Sequence, residues 1–487
     1  MRYIDLNKPK KVFFSGIGGI SMSGFALLLS KEGFDVSGSD RSESDVTRSL
    51  EAAGIKVILT QTADNITDDI DVLVHTAAVK ADSPELIRAK ELGIPVIDRA
   101  SLVGDIMLSY KNNYAVAGSH GKTSSTSMMI LVLLEAGLDP TVNLGGILSE
   151  IGGNTRLGNS DTFCIEACEY TDSFLKFHPT RAIITNIEPE HLDYFGDFDN
   201  EKRSFSRFAE LIPSDGLLAV GACIKERTEI FKNISCRMIT FAGELSDSVC
   251  NIAQSSDTSK ASPASAATFE TSLPDYHAEA VSYNSSGCGS YTLYKGTSPI
   301  GMIELGVPGA HNITNSVGVA ALALESGIPF EAIKSGLFRY RGTHRRFEKK
   351  GEIGGVTIID DYAHHPTEME ATIKTAKSLS PKRLVIIFQS HTYSRTAMFK
   401  EEMCKALSGA DLIVITDFYA AREVNTFGIT PGDLVKILKE KYGKEAYHFP
   451  SFGEIEDFCL ENCSTGDMLI TMGAGDVDII ADHLLGH

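Results

Sequence analysis

Residues 114–124 read YAVAGSHGKTS: an apolar run, a glycine turn, and a Lys-Thr pair that opens a further apolar stretch. That order commits the surrounding chain to an α/β fold. Such a turn works only where a strand of a parallel sheet passes into a helix and leaves backbone amides exposed at the helix start. The pattern predicts a strand over 114–117 and a helix over about 122–136 stopped by Gly137. A second turn of the same kind, GIGGISMSG at 16–24, follows the strand Val12–Phe14. Short β-branched runs then alternate with helical patterns, the mark of parallel sheets with crossover helices. At 487 residues, and at roughly 150 residues per domain, three blocks are expected. Their boundaries fall at 1–111, 112–327 and 328–487, each a mainly parallel sheet with helices. Residues 246–272 are rich in Ser, Ala, Thr and Asp without periodicity and read as a surface insertion.

The turn at 118–124 lacks glycine at position 116, where Val116 stands, so the long Walker pattern fails. The shorter GxxGKT form keeps the chemistry. Amides of Gly118, Ser119, His120, Gly121 and Ser124 with the helix dipole suit the phosphates of ATP; Lys122 adds a cation, and the Thr123 hydroxyl suits Mg²⁺. Further hard ligands are offered by two strand ends. The strand 162–165 runs into Glu166 with Glu169 behind it, and the strand 181–185 runs into Asn186, Glu188, Glu190, His191 and Asp193.

Lys+Arg 45 against Asp+Glu 64 leaves a net charge of -19, an acidic field that repels nucleic acid. Nine cysteines without a CxxC pair fit reduced thiols, and no apolar run reaches the roughly 20 residues that cross a bilayer. The expectation is a cytoplasmic protein without a membrane segment, monomer or homodimer being open. In the first turn, Gly16, Gly18 and Gly19 let backbone approach a diphosphate, and Ser39-Asp40 ends the next strand, where an acidic residue meets a ribose hydroxyl. The spacing is not GxGxxG, and a nicotinamide dinucleotide stands beside a nucleotide diphosphate as the ligand of that turn.

Three polar clusters follow strands of the last block: DDYAHHPTE at 360–368, QSHTYSRT at 389–396 and MGAGD at 472–476. Together with NIEPEHLDYF (186–195), PGAHNITN (308–315) and YRGTHRRFE (340–348), they resemble the Mur ligase family over essentially the whole chain. The resemblance implies a Rossmann-like UDP-sugar domain, a central P-loop ATPase-like domain, and a Rossmann-like third domain that closes over ATP and an amino acid. The implied reaction joins L-alanine to the lactyl carboxylate of UDP-N-acetylmuramate through an acyl phosphate. Carried over by residue, Lys122 and Thr123 hold phosphate and Mg²⁺, and Glu166 with His191 forms a further metal pair. His311, Asn312 and Asn315 meet adenine; Arg346 and Asp361 lie near the nucleotide. Tyr362, His364, His391 and Arg395 receive the amino acid, with His364 as proton acceptor. A sibling ligase for another amino acid or peptide, a dehydrogenase, and a non-catalytic UDP-sugar sensor are the alternatives. Where the family usually has Thr and Arg, this chain has Ser119 and Thr392, and Lys202 is not at the spacing of the carbamoylated lysine of related ligases.

Overall fold

The computed structural model describes residues 2–245, 273–421 and 423–487, so the segment 246–272 lies outside the described residues. The architecture is mixed α/β on three sheets whose strands run mainly parallel. In the first, five parallel strands stand in the order Lys56–Ile58, Asp35–Ser39, Lys11–Ser15, Val72–His75, Val96–Asp98. The order reverses at Lys11–Ser15, which puts the turn after Ser15 at a topological switch point.

In the second sheet, Asn112–Ala117 pairs in parallel with Thr162–Glu166 on one side and Arg181–Ile184 on the other. Beyond Arg181–Ile184 lie Leu217–Gly221 and Arg237–Glu244; beyond Thr162–Glu166 lie Thr141–Leu148 and its antiparallel neighbour Gly153–Arg156. Three loops therefore leave neighbouring parallel strands at one edge, those after Ala117, Glu166 and Ile184. Tyr276–Tyr283, Cys288–Lys295 and Ser298–Pro308 are neighbours in that order, a run the sequence did not mark.

The third sheet runs Glu348–Ile353, Val356–Asp361, Met468–Gly473, Leu384–Gln389, Leu412–Ile415, Glu445–His448, parallel but for its first pair. Leu384–Gln389 (LVIIFQ) is buried along its whole length, because helices cover both faces of a doubly wound sheet and leave no polar side. Contacts divide the chain into two compact units. One comprises Met1–His277, Lys295–Ser298 and Asn315–Leu337; the other comprises Ala278–Tyr294, Pro299–Thr314 and Phe338–His487. Among the described residues no helix is long and apolar enough to cross a membrane.

Candidate active site

In the first unit the strand Asn112–Ala117 ends at Gly118, whose φ of 135° and position, 2.0 Å from Thr185 Oγ1 for an added Cβ, admit only glycine. The loop that follows is shaped by its neighbour after Ile184. Ser119 N–H donates to Asn186 O (3.1 Å), His120 N–H to Asn186 Oδ1 (2.8 Å), and Thr185 Oγ1 to His120 O (2.7 Å). Glu188 N–H donates to Ser119 Oγ at 2.9 Å. Gly121, left-handed at φ 81°, caps the helix Lys122–Glu135, and no side chain caps that helix. Its first-turn amides, Lys122 to Ser124, therefore lack helical acceptors and point out of the loop.

Lys122 Nζ folds back onto Gly118 O (2.5 Å) and Ser119 O (3.0 Å) and pairs with Glu169 Oε1 at 2.9 Å. Burial opposes the ammonium, but the Glu169 carboxylate beside it more than compensates, so the Lys122 pKa stands above its ordinary value. Thr123 Oγ1 donates to Glu166 Oε1 (3.0 Å), and Glu166 Oε2 accepts from Gly145 N–H (2.9 Å). His191 Nε2 lies 3.8 Å from Glu169 Oε1, with its ring 4.6 Å from that of Tyr170. Thr171, Asp172 and His191 all hold left-handed backbone, φ 56°, 55° and 52°. Strain of this sort persists where the surroundings over-determine it, as they do at functional sites.

Sequence reasoning grouped Thr123, Glu166 and His191. The structure brings Thr123 to Glu166 and brings His191 to Glu169. Glu169 is fully buried, and its second oxygen, Oε2, has no hydrogen-bond partner among the described residues. Glu201, which the sequence did not single out, is also fully buried; its Oε2 accepts from Glu190 N–H at 3.1 Å, and its Oε1 has no partner among the described residues. Burial, with Glu169 and Glu190 nearby, pushes the Glu201 carboxyl up to about 8. Thr123 with Glu166, and His191 with Glu169, supply a hydroxyl, carboxylates and an imidazole, donors of the kind a divalent cation takes.

The first turn differs from expectation. Gly16 and Ile17 N–H donate to Ser39 O, Gly18 N–H to Asp40 Oδ2 (2.8 Å), and Gly19 N–H to Gly16 O (3.3 Å). These amides are spent inside the turn, and Asp40 braces it. Ser39 is fully buried, its hydroxyl donating to Glu85 Oε2 at 2.9 Å, so it holds a buried carboxylate. What the turn presents is the start of the helix Ile20–Lys31, which no side chain caps. Beside it, Arg99 NH1 donates to Ser21 Oγ (3.2 Å), and Ser21 Oγ donates to Asn143 Oδ1 (3.3 Å).

Asn315, buried on the helix Ala310–Glu325, lies against Gly121, 2.8 Å from Oδ1 to an added Cβ. In the second unit, His311 on the first turn of that helix is exposed. Asn312 is buried there, its amide donating to Pro308 O (2.8 Å) while its Oδ1 has no partner among the described residues.

The second unit also gathers residues distant in sequence. His364 and His391 ring centroids are 6.1 Å apart, Tyr362 and His364 5.5 Å, and His391 stacks on Tyr419 at 5.6 Å. Arg395 NH1 donates to His391 Nδ1 at 3.2 Å, which fixes that nitrogen as an acceptor. His364 Nδ1 donates to Tyr362 O (2.9 Å), leaving Nε2 as its acceptor nitrogen. Tyr419 carried no signal in the sequence. The guanidinium of Arg346 lies 5.3 Å from the Tyr362 ring centroid, with NH1 3.8 Å from Glu368 Oε1. Asp361 was expected beside the nucleotide. Both its oxygens instead accept backbone amides, from Phe347 (2.8 Å) and Ala363 (2.7 Å), so it shapes this loop. Burial pushes its carboxyl up to about 6 against the pull of Arg346. Arg345 is a strut, bound to Asp360 (2.9 Å) and to the carbonyls of Gly473 and Gly475.

Three family models match in order along the chain: the Mur ligase family catalytic domain over residues 11–111, the Mur ligase middle domain over 116–323, and the Mur ligase glutamate ligase domain over 345–475. The chain belongs to the Mur ligase family. Within it, the chain is 46% identical over 485 residues, 100% of each chain, to the UDP-N-acetylmuramate–L-alanine ligase of Agathobacter rectalis. The ligase of the same name from Caldanaerobacter subterraneus is 42% identical over 482 residues, 99% of this chain and 98% of that one. The crystal structure of the UDP-N-acetylmuramate–alanine ligase of Thermotoga maritima superposes with a TM-score of 0.77 at 28% identity, covering 98% of both chains.

Proposed function

We propose that this protein joins L-alanine to the lactyl carboxylate of UDP-N-acetylmuramic acid, with ATP cleaved to ADP and phosphate, as a cytoplasmic step of peptidoglycan precursor synthesis. The observation that carries this reading is the 46% identity, over the full length of both chains, to a ligase of that name. The site geometry supports it. A phosphate loop opens at Lys122, and a cluster of imidazoles with an arginine offers acceptors and a carboxylate fork.

A carboxylate is a poor electrophile, so its oxygen first attacks the γ-phosphorus of ATP; the bond to ADP breaks and an acyl phosphate forms. The first-turn amides from Lys122 to Ser124 receive the phosphates. Lys122 exchanges the carbonyls of Gly118 and Ser119 for phosphate oxygens while Glu169 keeps its charge in place. Asn312, with its unpartnered Oδ1, suits an exocyclic amine of the base, and His311 and Arg346 flank the nucleotide. We infer Mg²⁺ as the divalent ion, held by Thr123, Glu169 and His191 with Glu166 orienting the threonine hydroxyl. When bound, it screens triphosphate charge from the incoming carboxylate. The start of the helix Ile20–Lys31 receives the diphosphate of the UDP-sugar.

In the second half-reaction Arg395 holds the alanine carboxylate, oriented by His391, which Tyr419 supports by stacking. His364 Nε2 takes the proton as the neutral amine attacks the acyl carbon, and phosphate leaves with its electron pair. The test is ADP release coupled to a dehydrogenase, with UDP-N-acetylmuramate present and amino acids supplied one at a time. Release dependent on L-alanine is expected; release with another amino acid or a peptide alone would move the assignment to a sibling ligase.

A further inference from the structure

The central sheet has a second feature, at the edge opposite the phosphate loop. There a cavity of about 280 Å³ opens among the first residues of three neighbouring strands, Asn112, Tyr114, Thr162 and Arg181. Its other walls are the ends of two helices, Ala136 and Leu138 after Lys122–Glu135 and Ser326 to Pro329 after Ala310–Glu325. That volume is close to the lower end of the range, about 300–1,000 Å³, in which small-molecule pockets fall.

Arg181 gives the cavity its chemistry. Its guanidinium lies 5.5 Å from the Tyr114 ring centroid and bonds only neutral oxygens, Asn112 Oδ1 at 3.0 Å and Thr180 Oγ1 at 3.4 Å. Among the described residues no carboxylate pairs with it, in a chain carrying 64 acidic residues against 45 basic ones. Two other partly buried arginines are neutralised, Arg156 by Asp139 and Arg345 by Asp360 and Asp478. A half-buried guanidinium stacked on a tyrosine and held open by neutral acceptors is built for a planar anion, which it binds as a two-pronged fork.

We propose that this cavity is a binding site for a small organic carboxylate, separate from the reaction centre, with the carboxylate on Arg181. Its walls reach the chemistry. The helix Lys122–Glu135 has its C-terminal end at the cavity and its N-terminal end at the phosphate loop. Fourteen residues at about 1.5 Å each make that strut roughly 21 Å long. A ligand that fills the cavity beside Ala136, its carboxylate on Arg181, therefore bears on the element that positions Lys122.

The experiment uses the full chain with benzoate as the probe and benzamide as its neutral counterpart, read by ligand-observed saturation-transfer NMR titration. Benzoate is expected to bind, benzamide at least about tenfold more weakly, and Arg181→Gln to weaken benzoate by about tenfold or more. Arg395→Gln, which removes a carboxylate fork elsewhere, is expected to leave this binding unchanged. Ala136→Phe, which fills the cavity without touching Arg181, is expected to abolish it, and thermal melting checks that both cavity variants are folded. Benzoate affinity equal in the wild type and Arg181→Gln, equal binding of benzamide, or no benzoate binding at tens of millimolar would each overturn the proposal.

Discussion

The Lys122 ammonium stands 2.9 Å from Oε1 of Glu169, a fully buried carboxylate whose other oxygen has no partner among the described residues. One charge pair thus joins the phosphate loop to the loop that follows the strand Thr162–Glu166, and each partner makes the other's burial tolerable. Breaking a buried pair from one side leaves an uncompensated charge, which costs about 3–5 kcal/mol. Lys122→Ala is therefore expected to lose stability by about that amount and ligation by about 10²–10³-fold or more. Urea unfolding and coupled ADP release measure the two effects, and near-normal ligation would remove Lys122 from the phosphate site.

Glu201 sets a pH dependence. Its folded carboxyl titrates at about 8, against 4.5 for the ordinary group, so between those values the folded state binds more protons than the unfolded chain. Stability from this group is fully present at low pH and is lost as pH rises through that window. Urea midpoints measured without nucleotide should fall from pH 6 to pH 8.5 in the wild type, and Glu201→Gln should flatten the fall; parallel curves would contradict the assignment.

Gly118→Ala places a methyl 2.0 Å from Thr185 Oγ1 at a φ of 135°. The backbone strain alone costs about 1–3 kcal/mol, and the clash adds to it. Loss of ATP binding with a lowered melting temperature is expected, measured by calorimetry; normal ATP affinity would mean the loop has another shape.

Arg395→Gln removes the fork beside His391. The KM for L-alanine should rise at least about tenfold, the loss of one or two charge-assisted hydrogen bonds, while the KM for ATP stays within a factor of about two. A change confined to ATP would reassign that cluster.

Chelation tests the cation. EDTA should abolish ADP release and Mg²⁺ should restore it, with Glu169→Gln requiring more Mg²⁺ for half-maximal rate; undiminished activity in EDTA would exclude the donor set at Thr123, Glu169 and His191.

The strand, glycine turn and helix start around Lys122 were legible because they are contiguous: seven residues, GSHGKTS, carry the glycines, the lysine and the hydroxyl. The last cluster was legible only in pieces. His364, His391 and Tyr419 belong to three separate loops, and their convergence depends on Val356–Asp361 and Leu384–Gln389 both flanking Met468–Gly473, an order no local pattern encodes. Ser39 misled because a residue at a strand end points to one face or the other, and here it points inward to Glu85. Glu201 sits in the charged helix Phe198–Glu210, whose pattern does not distinguish a buried carboxylate from a solvated one. The strands Thr141–Leu148 and Gly153–Arg156 went unmarked because their glycines and asparagines carry little β-branched signal.

The central claim is that the γ-phosphoryl group of ATP bound at Lys122 passes to the lactyl carboxylate of the sugar nucleotide. It is tested by running the reaction with UDP-N-acetylmuramate labelled with ¹⁸O in that carboxylate and analysing the released phosphate by mass spectrometry. One labelled oxygen in each phosphate is the predicted result, whereas unlabelled phosphate accompanying product formation would contradict the account.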